Sequence, residues 1–99
     1  MSFNVRVRRA AEADIREAEG WYNEQRPGLG AEFRAEVLSI LYRLEETPFI
    51  YAEAYRDVRR APVHRFPFLV WYRIRGESIQ VLGCSHSRQH QRALYQRFQ

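Results

Sequence analysis

The spacing of the apolar residues changes twice along this chain, and those two changes fix the fold class. Phe3, Val5 and Val7 alternate with polar residues, which is the period of a strand with one buried face. From residue 11 to residue 44 the apolar positions recur every three or four residues, as they do along one face of a helix. After Pro48 they return in short β-branched and aromatic runs, which favour strands. The sequence therefore predicts an α+β domain.

The helical part of the sequence divides in two. Helices are predicted over residues 11–26 and 29–46, and Pro27-Gly28 separates them. Thr47-Pro48 ends the second helix, because a residue before proline is pushed out of the helical region. A connection this short joins the two helices into an antiparallel hairpin. The predicted buried faces consist of Ala11, Ile15, Ala18 and Tyr22 in the first helix, and of Phe33, Val37, Leu41 and Leu44 in the second.

Three further strands are predicted over residues 55–64, 66–74 and 78–85, with a turn at 75–77 between the last two. The middle strand is apolar on both faces, which is typical of a central position in a sheet. Pro67 must lie at its start, because proline cannot donate a hydrogen bond within a sheet. One face carries Phe68, Val70, Tyr72 and Ile74, and the other carries Leu69 and Trp71.

The predicted order is therefore β-α-α-β-β-β, a helical hairpin packed on one face of a mostly antiparallel, four-stranded sheet. The second face of the sheet, with Leu69, Trp71 and several arginines, is expected to be free and exposed to a partner. The polar tail from residue 86 to residue 99 carries a weak helical stripe of Leu94, Tyr95 and Phe98. That stripe leaves two outcomes open, a short C-terminal helix or a frayed end.

Composition limits the classes of function. The chain has 99 residues, enough for one domain over 1–99, and its 16 basic residues are all arginine, for a net charge of +4. Such a basic surface suits nucleic acid or an acidic protein, and charge alone does not separate these from a surface with no target. Cys84 is the only cysteine, so a disulfide framework is excluded and a reducing compartment is expected. Without an apolar leader or a run of membrane-spanning length, the protein is expected to be soluble and cytoplasmic.

Few residues suggest catalysis. His86 and Arg88 follow the last predicted strand, where a histidine could act as general acid or base and arginine could stabilise phosphoryl charge. The alternative is a solvated loop histidine. Cys84, His86 and His90 lack the fourth ligand of a metal site, so no metal and no cofactor are predicted. Cys84 is expected to be a small buried residue instead.

Four arginines fall on or beside the predicted middle strands: Arg59, Arg60, Arg65 and Arg73. With aromatic neighbours they could bind RNA or DNA, or they could be the charged edge that protects a sheet from aggregation. The pattern leaves both interpretations open. Trp21 and Tyr22, on the first helix, are expected to lie in the core.

Short motifs along nearly the whole chain resemble, in the same order, those of the RelE/ParE superfamily of plasmid-stabilisation toxins. The first helix carries Ala13-Asp14-Ile15, Glu17-Ala18 and Trp21-Tyr22. The helix turn and the second helix carry Pro27-Gly28-Leu29-Gly30, Phe33, Leu44 and Pro48. The strands carry Val58-Arg59-Arg60, the run from Arg65 to Arg73, and Ile79-Gln80-Val81-Leu82, which His86 and Arg88 follow.

The resemblance implies the toxin of a type II toxin–antitoxin pair, neutralised by a cognate antitoxin in a hetero-oligomer. One branch of the superfamily cleaves mRNA on the ribosome without a metal, and the other inhibits DNA gyrase. The cleaving branch places an arginine three residues before the central-strand tyrosine; here that position, before Tyr72, is Leu69. An apolar side chain cannot hold a phosphate, so the departure favours the gyrase-directed branch. Arg65 or Arg73 could still substitute from a neighbouring position.

Two sets of site residues are predicted for such a toxin, the second from the expected free face of the sheet, where apolar side chains beside arginines suit an acidic amphipathic strand or helix of the antitoxin. Target binding is assigned to Arg65, Arg73, His86 and Arg88, and the same four would serve catalysis in a nuclease. Antitoxin binding is assigned to Leu69, Trp71, Arg59 and Arg60. The leading interpretation is a gyrase-binding toxin that is not an enzyme, and the alternative is a ribosome-dependent mRNA endoribonuclease. A third interpretation is a family member that retains only antitoxin binding.

Overall fold

The structure is a computed structural model that describes residues 2–99. Its elements are β1 (Asn4–Val7), α1 (Arg9–Gln25), α2 (Leu29–Glu46), β2 (Glu53–Tyr55), β3 (Val58–Pro62), β4 (Phe68–Arg75), β5 (Ser78–His86) and α3 (Gln91–Phe98). The predicted α+β class and the order of the first elements are confirmed. Both predicted helices are present, and their ends lie within two residues of the predicted ones.

The sheet has five strands rather than the predicted four, in the order β1-β5-β4-β3-β2. Strand β1 runs parallel to β5, and the other neighbours are antiparallel. The strand predicted over residues 55–64 is shorter and corresponds to β3, because the chain reverses at Arg56 and residue 55 ends the neighbouring strand β2. Arg56 adopts a positive φ of 53°, a turn conformation that a propensity pattern does not reveal in a residue other than glycine.

Helices α1 and α2 form the predicted hairpin and cover one face of the sheet. Gly28 has a φ of 89°, which suits glycine at the turn between them. Gly30 allows the helices to approach closely, since a β-carbon there would clash with the backbone oxygen of Glu19. The predicted packing is confirmed: Phe33, Val37 and Leu44 share one buried cluster with Val70 and Tyr72. Leu41 is only partly buried, and the neighbouring Ile40 is buried in its place.

The second face of the sheet is covered by α3, so the expectation of a free face with an exposed Trp71 is wrong. Trp71 is 0% exposed, its indole N–H donates to Ser85 Oγ at 2.9 Å, and its ring lies 5.5 Å from that of Phe98. Leu94 and Phe98, four residues apart on α3, complete a second core with Trp71 and Leu82. The tail therefore forms a helix that is docked on the sheet. Most of its residues are polar, so the sequence alone did not show that Leu94 and Phe98 pack into a core.

A bulge in β5 lets this strand serve both cores. Trp71 pairs with Gly83 and Tyr72 pairs with Val81, so Leu82 is the additional residue. As a result Leu82 faces α3, while Val81 belongs to the core under the helical hairpin.

Candidate functional site

A cleft lies where α1 runs beside the last half of β5. In the register of the sheet β1 pairs with β5 only from Ser78 to Val81, so within residues 2–99 no strand flanks the rest of that edge. The side of α1 occupies this place and leaves a hollow of about 350 Å³, which we call the rim cleft. Its lining includes Asp14, Glu17, Trp21, Phe68, Cys84 and His86.

Aromatic rings form one wall of the rim cleft. Trp21 is 56% exposed, so the expectation that it lies in the core is wrong, whereas Tyr22 is buried as predicted. The two neighbours differ because Tyr22 continues the buried face of α1 and Trp21 lies about 100° around the helix from it. The ring of His86 meets that of Phe68 edge-on at 5.3 Å. A second hollow of about 280 Å³ adjoins the cleft and shares Trp21, Phe68 and His86 with it.

His86 and Arg88 lie together at this rim, as the sequence predicted. The backbone N–H of Arg88 donates to Nδ1 of His86 at 3.0 Å. A ring nitrogen that accepts a hydrogen bond carries no proton, so this contact places the hydrogen of a neutral His86 on Nε2. In this arrangement His86 offers a donor at Nε2, and the lone pair that a general base needs is engaged at Nδ1.

Cys84 is buried beneath the rim cleft. Burial, and to a lesser extent the nearby Asp14 carboxylate, together raise the pKa of the Cys84 thiol to about 12. A thiol that stays protonated at neutral pH is a poor nucleophile and a poor metal ligand, so Cys84 behaves as a small apolar residue. In the part of the chain that the structure describes, no three His, Cys, Asp or Glu side chains are grouped closely enough to hold a metal ion.

The sequence interpretation missed three residues on the cleft side of α1. Asp14, Glu17 and Trp21 are spaced by three and four residues, a spacing that places them along one side of a helix. That spacing was the available signal, but nothing in the sequence showed that this side of α1 borders an open strand edge. The Asp14 carboxylate accepts a hydrogen bond from the backbone N–H of Cys84 at 2.9 Å, the kind of bond that a neighbouring strand would otherwise make at this edge.

Arg73, a predicted target-binding residue, lies far from His86. In the β4–β5 register Phe68 pairs with His86, whereas Arg73 pairs with Gln80. Five residues of strand separate the two positions by about 16 Å. The Arg73 side chain is 12% exposed and donates to Asp57 and to the backbone oxygen of Phe98, each at 3.1 Å. Hydrogen bonds from Arg75 and Arg73 also hold the pKa of Asp57 below its usual value.

Arg65 contacts α2 and its own neighbour in the chain, Phe66. Its guanidinium lies 2.8 Å from a carboxylate oxygen of Glu32 and 5.3 Å from the ring centroid of Phe66. Hydrogen bonds from Arg65 and then Arg26 lower the pKa of Glu32. The structure thus brings together His86 and Arg88, whereas Arg73 lies elsewhere and Arg65 is held by an acidic partner.

The four predicted antitoxin-binding residues do not share one surface. Arg59 lies on the face of the sheet that the helical hairpin covers. Its side chain is 18% exposed and donates to the backbone oxygen of Tyr51 at 2.6 Å. Arg60 is exposed on the other face, 5.8 Å from the ring centroid of Trp71. Leu69 is half-buried against the second core, and Trp71 is fully buried there. Arg60 and the edge of Leu69 are therefore the parts of this set that a partner can reach.

Comparison with known proteins gives one family and several related folds. Residues 5–91 match the family model described as the ParE toxin of the type II toxin-antitoxin system parDE. No curated protein sequence matches the chain. Within residues 2–99, the helices are all too short or too polar to span a membrane.

Three solved structures resemble the fold. A chain of the chromosomal ParDE toxin–antitoxin system from P. aeruginosa has a TM-score of 0.76 and 20% identity, covering 86% of this chain and 96% of that one. A mutant of the E. coli toxin RelE in the free state has a TM-score of 0.72 and 14% identity, with coverages of 98% and 94%. A chain of the RelBE2 toxin–antitoxin complex from Mycobacterium tuberculosis has a TM-score of 0.64 and 18% identity, with coverages of 87% and 99%.

Proposed function

The chain belongs to the ParE toxin family of type II toxin–antitoxin systems, and we propose that it acts by binding and inhibiting DNA gyrase rather than by cutting RNA. A cognate antitoxin restrains it in a hetero-oligomer. Gyrase inhibition and RNA cleavage occur on the same fold, so the choice between them depends on side chains and not on the topology of the chain.

The observation that carries the proposal is the dispersal of the cations that a nuclease would need. Cleavage by a ribose 2′-OH requires positive charge on the scissile phosphate close to the acid–base group. At the central-strand position Leu69 is apolar and half-buried. Arg73 lies about 16 Å along β4 from Phe68, the residue that pairs with His86, and it is bound to Asp57. Arg65 is bound to Glu32. Only Arg88 is left beside His86 from the predicted set.

The state of His86 supports the same conclusion. A general base must point a free lone pair at the proton that it removes. The Nδ1 lone pair of His86 is engaged by the backbone N–H of Arg88, so Nε2 carries the hydrogen in the neutral ring. Such a ring suits hydrogen bonding to a protein partner at the rim.

The alternative function is a RelE-like, ribosome-dependent endoribonuclease. The observation in its favour is that His86 and Arg88 lie together at the rim, 3.0 Å apart between Nδ1 and the backbone nitrogen. In this alternative His86 is the acid–base group and Arg88 stabilises charge on the phosphate. Arg65 would then have to leave Glu32 to join them.

Controlled expression in bacteria tests the proposal, with DNA synthesis, protein synthesis and the DNA-damage response recorded separately. We expect DNA synthesis to fall first and the damage response to be induced. The His86→Ala variant should keep its toxicity within a few-fold of the parent, whereas a nuclease would lose about 10²–10⁴-fold. His64→Ala, at an exposed histidine next to α2, is the matched control. Loss of toxicity in a folded His86→Ala protein, with early arrest of translation, would favour the nuclease.

A further inference from the structure

The rim cleft combines an exposed tryptophan, Trp21, with the carboxylate of Glu17. Trp21 is more than half exposed although it borders a cleft, which is unusual for the largest side chain. In the structure of residues 2–99, Glu17 makes no side-chain hydrogen bond and no salt bridge, although many other acidic side chains on α1 and α2 do. An aromatic face beside an unpaired carboxylate is a surface that attracts cations.

The two joined hollows have different chemistry along their length. The smaller one is bordered by apolar surface of Trp21, Phe68 and Pro67. The larger one continues from Trp21 to the carboxylates of Glu17 and Asp14. A side chain that enters past the tryptophan would thus lay an apolar stem on the rings and bring its tip to the carboxylates. Arginine and lysine have this combination of stem and charged head.

Asp14, which lines the cleft on the same side of α1 as Glu17, already binds a guanidinium of this chain. Arg97 lies 2.6 Å from the Asp14 carboxylate, so that carboxylate is already paired, whereas Glu17 makes no salt bridge within residues 2–99. Arginine fits such a place better than lysine, because its planar head stacks on an aromatic ring and also makes paired hydrogen bonds with a carboxylate.

We propose that the rim cleft binds an arginine side chain of a protein partner, with the guanidinium on Glu17 and the stem against Trp21 and Phe68. The inference rests on the proposed function in one respect, that a protein and not an RNA approaches this rim. It adds the chemistry of the contact, which the family assignment does not supply.

Binding of a short peptide to the purified protein tests the inference without any measure of toxicity. The probe is the blocked pentapeptide Gly-Gly-Arg-Gly-Gly, with citrulline in place of arginine as a neutral isostere, and a guanosine monophosphate titration as the RNA arm. Nuclear magnetic resonance shifts of the Trp21 indole N–H and of the Glu17 amide report binding. The buried indole N–H of Trp71, bonded to Ser85, is the internal reference.

We expect arginine peptide to saturate the Trp21 and Glu17 signals, with an affinity on the order of millimolar. Citrulline peptide should bind roughly tenfold more weakly, as should the Glu17→Gln and Trp21→Ala variants. Glu46→Gln and Tyr42→Ala, at exposed positions of α2, are the matched controls and should bind like the parent.

Two results would overturn the inference. Equal binding of the arginine and citrulline peptides would show that charge is not recognised. Tighter saturation of the same signals by guanosine monophosphate would show that the cleft accepts a nucleobase. Failure of the gyrase proposal can be told apart from failure of this inference, because the two are measured separately. If the protein were a nuclease whose cleft still prefers the arginine peptide, it would cut mRNA and the peptide-binding result would be unchanged.

Discussion

The guanidinium of Arg97 on α3 lies 2.6 Å from the carboxylate of Asp14 on α1, so the first and last helices meet around the edge of the sheet. The same nitrogen of Arg97 donates to the backbone oxygen of Leu82 at 2.9 Å. The contact passes directly over Gly83 in the β5 bulge, where a β-carbon would lie 2.7 Å from that nitrogen. The missing side chain at Gly83 is therefore what allows α3 to be tied to α1.

Substitution of Gly83 by alanine should loosen α3 while leaving the core under the helical hairpin intact. The new methyl group displaces Arg97 from Asp14 and Leu82, and we expect a loss of about 1–2 kcal/mol in the free energy of unfolding. Urea unfolding measures that loss, and hydrogen exchange should show weaker protection of residues 91–98. Gly20→Ala is the control, because Gly20 lies in α1 with open space around it; it should stabilise by about 0.5–1 kcal/mol. Unchanged stability in Gly83→Ala would contradict the role of the Arg97 contact.

Phe98 should contribute as much to stability as a residue of the main core, although it is the penultimate residue. Its ring is 2% exposed and packs on Trp71. We expect Phe98→Ala to cost about 3–5 kcal/mol, because it leaves a cavity beside the indole. Denaturant unfolding is the measurement, with Gln96→Ala on the exposed side of α3 as the control, expected within about 0.5 kcal/mol of the parent. A frayed C-terminus would make the two variants alike.

The protein should lose stability at alkaline pH through Tyr72 and Cys84. Burial raises the pKa of Tyr72 to about 12 and that of Cys84 to about 12. The unfolded chain releases these protons at lower pH, near pH 9–10. Between about pH 9 and about pH 12 the unfolded state thus binds fewer protons than the folded state, and stability falls as pH rises.

Comparison of urea unfolding at neutral and alkaline pH tests the role of Tyr72. Tyr72→Phe should lower stability at neutral pH by about 1 kcal/mol, since it removes the hydrogen bond to the backbone oxygen of Pro48. It should also flatten the alkaline decline. Tyr42→Phe, at a position that is 66% exposed, is the matched control. An equally steep decline in Tyr72→Phe would mean that other groups cause it.

The fold could be predicted where local pattern and burial agree. Glycine, proline and a repeat of three or four residues marked α1 and α2, and alternation placed Phe68 and Trp71 on opposite faces of β4. The prediction missed the turn at Arg56 because a positive φ outside glycine leaves no mark in composition. The docking of α3 was not predicted, because only two of its side chains, Leu94 and Phe98, are needed to pack it against the sheet.

The candidate site was harder to predict than the fold, because its geometry is non-local. The position of His86 beside Arg88 follows from two residues of chain and was predicted. The separation of Arg73 from His86 depends on the β4–β5 register, and the capture of Arg65 by Glu32 depends on how α2 lies on the sheet. Trp21 and Glu17 line the cleft because α1 lies beside the unpaired part of the β5 edge, a tertiary arrangement that the sequence does not reveal. The assignment of residues to target binding and to antitoxin binding remains a prediction.

DNA supercoiling by purified gyrase is the measurement that tests the central claim most directly. Relaxed plasmid, gyrase and ATP are mixed with increasing amounts of the protein, and a parallel translation reaction monitors the integrity of ribosome-bound mRNA. We expect supercoiling to be inhibited by the parent and by His86→Ala at similar concentrations, with mRNA intact in both reactions. Undiminished supercoiling at a large molar excess of folded protein, together with mRNA that the parent cuts and His86→Ala does not, would contradict the proposal.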